Sequence, residues 1–442
     1  MMPRYRMAVW MNAGMLAVLT GCGGSSTSDV PPAATPSCEG GAVIYDTGGT
    51  NGYGRQSAVG NGQVTAPADL AFVPGQGGAF VVTEQAGHAV YFNGGCAAVN
   101  RIDLRDAAGG GIGIVSGGEQ GLLNIEFHPD YATNGYVFFY HTSVAGTVNS
   151  ITRMTVTFGA GGALVLSDPQ RIIDFRKADS VAASNHNGGG LVFAPDNTLL
   201  ASIGDGGADS GTAQADTRLT GKVIRILPSL AAGVGGYGIP SGNMFAATNA
   251  ACSNVAVGTQ ACPEILAKGL RNPFRMARDG NVIYLGDVGS GTEEINSFIY
   301  TVNSVNFGWP TYDGFVVSPS LPGYRNPIVH YTRNGATADA FRSEDPMGSA
   351  SGAASVMIGD VYRGSRYSPA LNGGALLFGE FYDGYIRAVV VDAGGDITDT
   401  DAAPGFHLVH AGAIASMVQG PDGYLYFAAL YGPATIYRLV RP

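Results

Sequence analysis

The run Asn185-His186-Asn187-Gly188-Gly189-Gly190 is followed, one short apolar strand pair later, by Gly204-Asp205-Gly206-Gly207. The stretch between them turns at Pro195-Asp196-Asn197, so the chain folds back and can return Asp205 to His186. A carboxylate beside an imidazole fixes its tautomer and raises its basicity, which a general base near neutral pH requires. The flanking glycines would let a flat ligand approach the backbone. A purely structural His–Asp pair fits the same spacing.

Three further segments carry polar groups in loops. Arg271-Asn272, ahead of Pro273, can offer a fork of donors to an anion, or can be a solvated loop pair. Gly286-Asp287-Val288-Gly289-Ser290, then Glu293-Glu294 and Asn306-Phe307-Gly308-Trp309-Pro310, combine adjacent carboxylates with loop carbonyls. That donor set suits a hard cation such as Ca²⁺, although acidic loops are more often merely solvated. Gly118-Glu119-Gln120-Gly121 leads into Phe127-His128-Pro129-Asp130, where His128 reads as a locally bonded turn histidine. His88, His141, His330, His407 and His410 have no motif around them and read as structural.

The elements that must position these residues are strands. Hairpin-like copies of apolar strand, Pro/Asp/Asn/Gly turn and apolar strand occur at 70–85, 125–142, 191–207, 276–289 and 417–430. A weaker one spans 371–392. Six copies predict an all-β, six-bladed β-propeller with little helix and with long insertions between blades three, four and five. An irregular array of β-sandwiches is the competing arrangement. The 68 glycines among 442 residues, with only 24 basic and 34 acidic side chains, exclude a long coiled coil and bulk disorder. Three lysines and no basic run exclude a nucleic-acid surface.

Arg4 and Arg6 precede an apolar stretch, Met7 to Leu19, that is too short to span a bilayer as a helix. Residues 1–21 read as a secretory signal, and Leu19-Thr20-Gly21-Cys22 has the form of a lipobox that would lipidate Cys22. Residues 22–40, rich in Gly, Ser, Thr and Pro, read as a flexible tether, and 41–442 as the propeller. The expected location is the bacterial cell envelope, facing the periplasm or the cell surface, with the membrane touched only through the lipid. An oxidising compartment suggests two disulfides among Cys38, Cys96, Cys252 and Cys262, with Cys252–Cys262 and Cys38–Cys96 preferred on proximity alone.

Taken together the segments resemble the glucose/sorbosone dehydrogenase family, the soluble PQQ-dependent sugar dehydrogenases. The strings GEQGLLNIEFHPDYATNGYVFFY, NHNGGGLVFAPDNTLLASIGDGG, LTGKVIRI, YGIPSGNMF, PEILAKGLRNPFR and GDVG-x3-EEIN with NFGWP occur in family order. The resemblance implies a six-bladed propeller. It implies His186 as the base taking the proton of a sugar C1 hydroxyl, with Asp205 orienting it. It places Glu119, Arg271 and Asn272 around PQQ. It implies catalytic Ca²⁺ on the carbonyls of Gly289 and Ser290, and a structural Ca²⁺ at Glu294 and the carbonyl of Phe307. Two features depart from the family. An Arg-x-Arg-Asp string is replaced by Ala413-Ile414-Ala415-Ser416, and a cofactor-contacting Lys is replaced near Tyr382. Arg363 and Arg387 stand in neighbouring segments as candidate substitutes.

The leading expectation is PQQ- and Ca²⁺-dependent oxidation of an aldose at C1 to the lactone, with an external electron acceptor. A binding propeller that has lost the quinone is the alternative, and a Ca²⁺-dependent lactone hydrolase on the same architecture is a third. Substrate specificity is expected in 231–262 and 313–355.

Overall fold

The computed structural model describes residues 43–45, 53–144, 146–176, 184–207, 210–246, 251–252, 260–333, 354–367, 371, 374–382, 384, 386–399, 413–432 and 435–441. The expected signal and tether, with Cys22 and Cys38, lie outside these residues, as do His407 and His410.

Six sheets form the fold, each built on antiparallel strands, with Val305–Asn306 added in parallel to the third. Blade one runs Pro67–Phe72, Phe80–Glu84, His88–Phe92 and Asn100–Asp103. Blade two runs Leu122–Phe127, Tyr136–Thr142, Val148–Phe158 and Leu164–Arg176. Blade three runs Leu191–Phe193, Leu199–Ile203, Lys222–Pro228 and Ile265–Lys268. Blade four runs Pro273–Asp279, Val282–Asp287, Thr292–Ile299 and Val329–Thr332. Blade five runs Val356–Tyr362, Ala375–Glu380, Ile386–Val391 and Ile397–Asp399. In blade six Ile414–Gln419, Leu425–Ala429 and Thr435–Val440 are completed by the N-terminal strand Gly54–Ser57, with Gly54 opposite Val440. This pairing closes the ring, and the innermost strands of neighbouring blades lie side by side all the way round.

The six-bladed expectation therefore holds, with two corrections. The weak copy at 371–392 is the second and third strands of blade five. Its innermost strand, Val356–Tyr362, is separated from the second by a long connection, so no tight turn marks that pair. Of the long segments, residues 333–355 stand in sequence between blades four and five as expected, while the others fall within blades. Residues 231–262 join the third and fourth strands of blade three, and 313–328 precede the fourth strand of blade four. Helix is sparse: Tyr131–Asn134 is the one α-helix among the described residues, closed by Gly135 in the left-handed region.

Strand faces alternate between neighbouring inter-blade cores, so most strand residues are buried on both sides. One core joins blades five and six through Tyr362, Tyr367, Leu377 and Phe427, and another joins blades two and three through Phe138, Tyr140, Phe193 and Ile224. His128 is buried at the blade-two turn, where its Nδ1 accepts the Asp130 N–H at 3.0 Å. His141 bonds Thr152 at 3.0 Å and His88 meets Glu84 at 3.2 Å, both within their sheets. Cys252 and Cys262 are joined by a disulfide.

The innermost strands line an axial channel with a cavity of about 330 Å³ that carries Asp69, Glu126, Asp360, Arg275 and Arg278. Burial, reinforced by the charges of Asp360 and Asp69, pushes the Glu126 carboxyl up to about 8. Burial and Asp69 raise Asp360 to about 6. An unfolded Glu titrates near 4.3. The folded chain thus holds a proton that the unfolded chain releases, and stability falls as pH rises from that value through about 8. Glu126→Gln removes this titration without changing shape. Its melting temperature should drop less than the wild type's between pH 5 and pH 9, by about 3 °C or more. Thermal melts at both pH values check this, and parallel pH profiles would refute the assignment.

Candidate active site

The loops preceding the innermost strands and those following the second strands emerge at the same end of the ring. Glu119, His186, Arg271–Asn272, Ala354–Ser355 and Ala413 come from the first set. Asp205, Val288, Phe381–Tyr382 and Leu430–Tyr431 come from the second. They converge around a cavity of about 790 Å³, which all of these residues except Asp205 line directly.

His186 Nδ1–H donates to Asp205 Oδ1 at 2.7 Å, with the imidazole mostly and the carboxylate fully buried. Asp205 also accepts the backbone N–H of Gly207 at 2.8 Å and the indole N–H of Trp309 at 2.9 Å. The carboxylate is held by donors on both oxygens, so it cannot turn away from the imidazole. His186 Nε2 makes no hydrogen bond among the described residues and is left for a ligand. The two loops touch closely. A Cβ on Gly204 would meet the His186 carbonyl oxygen at 2.1 Å, and Gly188 (φ 66°) would meet that of Ser202 at 2.4 Å, so both positions need glycine.

Glu119 ties this loop to blades two and four. Its Oε2 accepts the His186 backbone N–H at 2.6 Å and Asn272 Nδ2–H at 3.1 Å. Asn272 Oδ1 accepts the Gly188 N–H at 3.0 Å. Asp287 accepts the backbone N–H groups of Arg271 and Asn272, and burial pushes its carboxyl up to about 7. Asn272 is therefore committed to the protein, not presented as half of a donor fork. The Arg271 guanidinium donates to the Val288 carbonyl at 2.8 Å and lies 5.6 Å from the Trp309 ring. Phe274, Phe381, Tyr382 and Tyr431 give the cavity flat walls, and Phe381 stands edge-on to both tyrosines.

The structure brings His186, Asp205, Glu119, Arg271 and Asn272 together. Gly289 and Ser290 do not line the cavity, and Glu294 and Phe307, expected at a separate site, stand apart from it. Glu294 is buried in blade four, which pushes its carboxyl up to about 8, and its oxygens accept N–H groups from Asn296 (3.0 Å) and Gly314 (2.5 Å). Phe307 packs its ring on Phe298, and its N–H donates to the Lys268 carbonyl. Ala413 and Tyr382 do line the cavity and bring no charge to it. Arg363 and Arg387 do not line it, and Arg363 pairs with Asp279 on the blade-four edge. The cation that sequence reasoning missed is Arg333. Its backbone N–H donates to the Gly291 carbonyl, its Nη1 to the Gly289 carbonyl at 2.8 Å, and the same nitrogen lies 3.4 Å from the buried Glu293. Trp309 was read with an acidic loop and instead holds the carboxylate of the His–Asp pair.

The sequence model of the family described as Glucose / Sorbosone dehydrogenase matches residues 64–438, and the chain belongs to that family. It is 30% identical over 300 residues to the HIPL2 protein of Arabidopsis thaliana, covering 59% of this chain and 39% of that protein. It is 26% identical over 251 residues to Aldose sugar dehydrogenase YliI of Escherichia coli, covering 52% of this chain and 59% of that one. The chain thus matches well under two thirds of the length of these two relatives. The PQQ-bound aldose sugar dehydrogenase of Streptomyces coelicolor superposes with a TM-score of 0.61 over 88% of this chain and 99% of that one. At 20% identity this likeness shows the fold.

Removing Glu119 would leave the His186 N–H and the Asn272 amide without their shared acceptor. Glu119→Ala should cost about 1–3 kcal/mol in urea unfolding, with Glu119→Gln losing less because one acceptor oxygen remains. Equal midpoints for wild type and the alanine variant would show that water replaces the carboxylate at no cost.

Proposed function

We propose that the protein is a PQQ-dependent dehydrogenase that oxidises an aldose at C1 to the lactone and passes the electrons to an external acceptor. The observation that carries the reading is the His186–Asp205 pair, with Nε2 left open on the cavity. The cavity fits PQQ by its chemistry. Two guanidiniums, Arg271 and Arg333, would meet its carboxylates, and aromatic side chains would flank its planar ring. Family membership and the intact His–Asp pair favour this over the non-enzymatic binding propeller.

When bound, PQQ supplies an electrophilic quinone that takes up hydride. The chain's own part is proton handling and orientation. Asp205 holds Nδ1–H, so Nε2 is the basic nitrogen and can take the proton of the C1 hydroxyl as the C1–H bond breaks. The imidazolium that forms is stabilised by the adjacent carboxylate, and Trp309 and Gly207 keep that carboxylate in place. Glu119 and Asn272 fix the backbone on which His186 stands.

The Ca²⁺ site expected on the carbonyls of Gly289 and Ser290 does not fit the donor groups. The Gly289 carbonyl already holds the Arg333 guanidinium. A dication on that oxygen would stand about 4 Å from a fixed positive charge, and each pair of unit charges at that distance repels by about 4 kcal/mol at an effective dielectric of 20. At the second site both Glu294 oxygens accept N–H donors. No step is therefore assigned to calcium at Gly289 and Ser290. By its leader sequence we place the protein outside the cytoplasm, anchored through lipid on Cys22.

The test uses Trp309, which touches the His–Asp pair. Added PQQ should quench its emission, and Trp309→Phe should abolish the quenching. The loaded protein should then reduce a dye with a panel of aldoses. His186→Ala should lower kcat by about 10²–10⁴ while PQQ-dependent quenching persists. An absence of quenching at micromolar PQQ, or unchanged turnover in His186→Ala, would overturn the reading.

A further inference from the structure

Among the described residues, Arg271 and Arg333 are the only cations that line the cavity. The other guanidiniums nearby are committed elsewhere. Arg275 donates to the carbonyls of Ala415 at 2.8 Å and Ala68 at 2.6 Å, and Arg363 is paired with Asp279. Ala413 and Tyr382 replace positive charge at the wall with apolar and phenolic surface.

Arg333 is held for a purpose other than neutralising its neighbour. It follows the last strand of blade four, and its backbone N–H is fixed on the Gly291 carbonyl at 3.1 Å. Among the described residues only Nη1 of its guanidinium is engaged, by the Gly289 carbonyl at 2.8 Å and toward Glu293 Oε1 at 3.4 Å. Glu293 is wholly buried, and its other oxygen accepts the Val356 N–H at 2.9 Å, beside Ser355 and Ala354 of the cavity wall. The carboxylate therefore cannot follow the guanidinium outward. The Gly289 carbonyl aims the guanidinium, whose Nε and Nη2 make no hydrogen bond among the described residues. A guanidinium carries five donors in a planar fork matched to a carboxylate.

We infer that Arg333 is the resident cation of this cavity: with Arg271 it clamps the carboxylates of a flat polycarboxylate ligand, and by occupying the Gly289 carbonyl it makes that binding independent of a divalent ion. The inference rests on the PQQ reading above and names what replaces the arginines absent at 413–416. Arg333 is a binding residue here and takes no part in proton transfer.

The experiment is a titration of PQQ into the purified full chain, followed by calorimetry, with EDTA and again with excess Ca²⁺. The wild type should bind with the same dissociation constant, within about threefold, under both conditions. Arg333→Met should bind about 10- to 100-fold more weakly in EDTA, the range set by loss of one charge-assisted pair. It should recover part of that loss in Ca²⁺, because the Gly289 carbonyl is then free for an ion. Arg333→Lys, which keeps the charge and perturbs packing least, should stay within about fivefold of wild type in EDTA. Wild-type binding that needs Ca²⁺ would overturn the inference and leave the PQQ reading intact. So would wild-type affinity in Arg333→Met in EDTA. Failure of the wild type to bind PQQ under either condition would overturn the PQQ reading and the inference with it.

Discussion

Asp205 is buried and takes N–H groups from three directions: an imidazole, an indole and a backbone amide. A buried carboxylate is tolerated only where donors replace its water. Each donor here comes from a different part of the chain. His186 arrives ahead of blade three, Gly207 after its second strand, and Trp309 from the segment between the third and fourth strands of blade four. The carboxylate therefore acts as a junction that sets the imidazole only when all three segments are in register. The same logic governs Glu119, which joins the His186 backbone to the Asn272 side chain. The site is rigid because satisfying its buried acids requires the blades to be correctly placed.

The propeller makes such junctions cheap. Every blade starts its innermost strand and ends its second strand at one end of the ring, so residues far apart in sequence meet there without any long connection. Closure by Gly54–Ser57 on Thr435–Val440 removes the open edge that would otherwise let blades one and six part. The charge of the cavity is set by side chains at this end of the ring: Ala413 brings none and Arg333 brings a guanidinium, on two different blades.

What the sequence showed and what it hid follow from the range of each interaction. His186 and Asp205 were legible as a pair because a tight hairpin of known length separates them, and hairpin turns leave a local signature. Five of the six blades were legible for the same reason. The sixth copy was placed one strand late because the connection after Tyr362 is long and carries no turn signal. Arg333 was not legible at all. It meets Gly289 through the antiparallel register that sets Thr292 against Thr332, and nothing in the residues around it announces that register. Trp309 was assigned with the acidic loop beside it, since only the fold reveals that its indole points back to Asp205. Cys252 and Cys262, ten residues apart, were within reach of a proximity argument.

Arg275 stands between the two cavities along the axis. It lines the channel that holds Asp69, Glu126 and Asp360, while its guanidinium lies 4.2 Å from the ring of Phe274, which walls the site. Its donors go to carbonyls of blades one and six, so it bridges the ring like a bolt. An anionic ligand entering the site meets Arg271 and Arg333 first, and beyond Arg275 meets carboxyls that burial already forces toward neutrality. Moving an anion past that point would give up Arg271 and Arg333 for a channel in which the Arg275 donors are already committed to carbonyls. A flat polyanion of the proposed kind would therefore be held at the His186 end of the ring, where the imidazole could reach a substrate placed upon it.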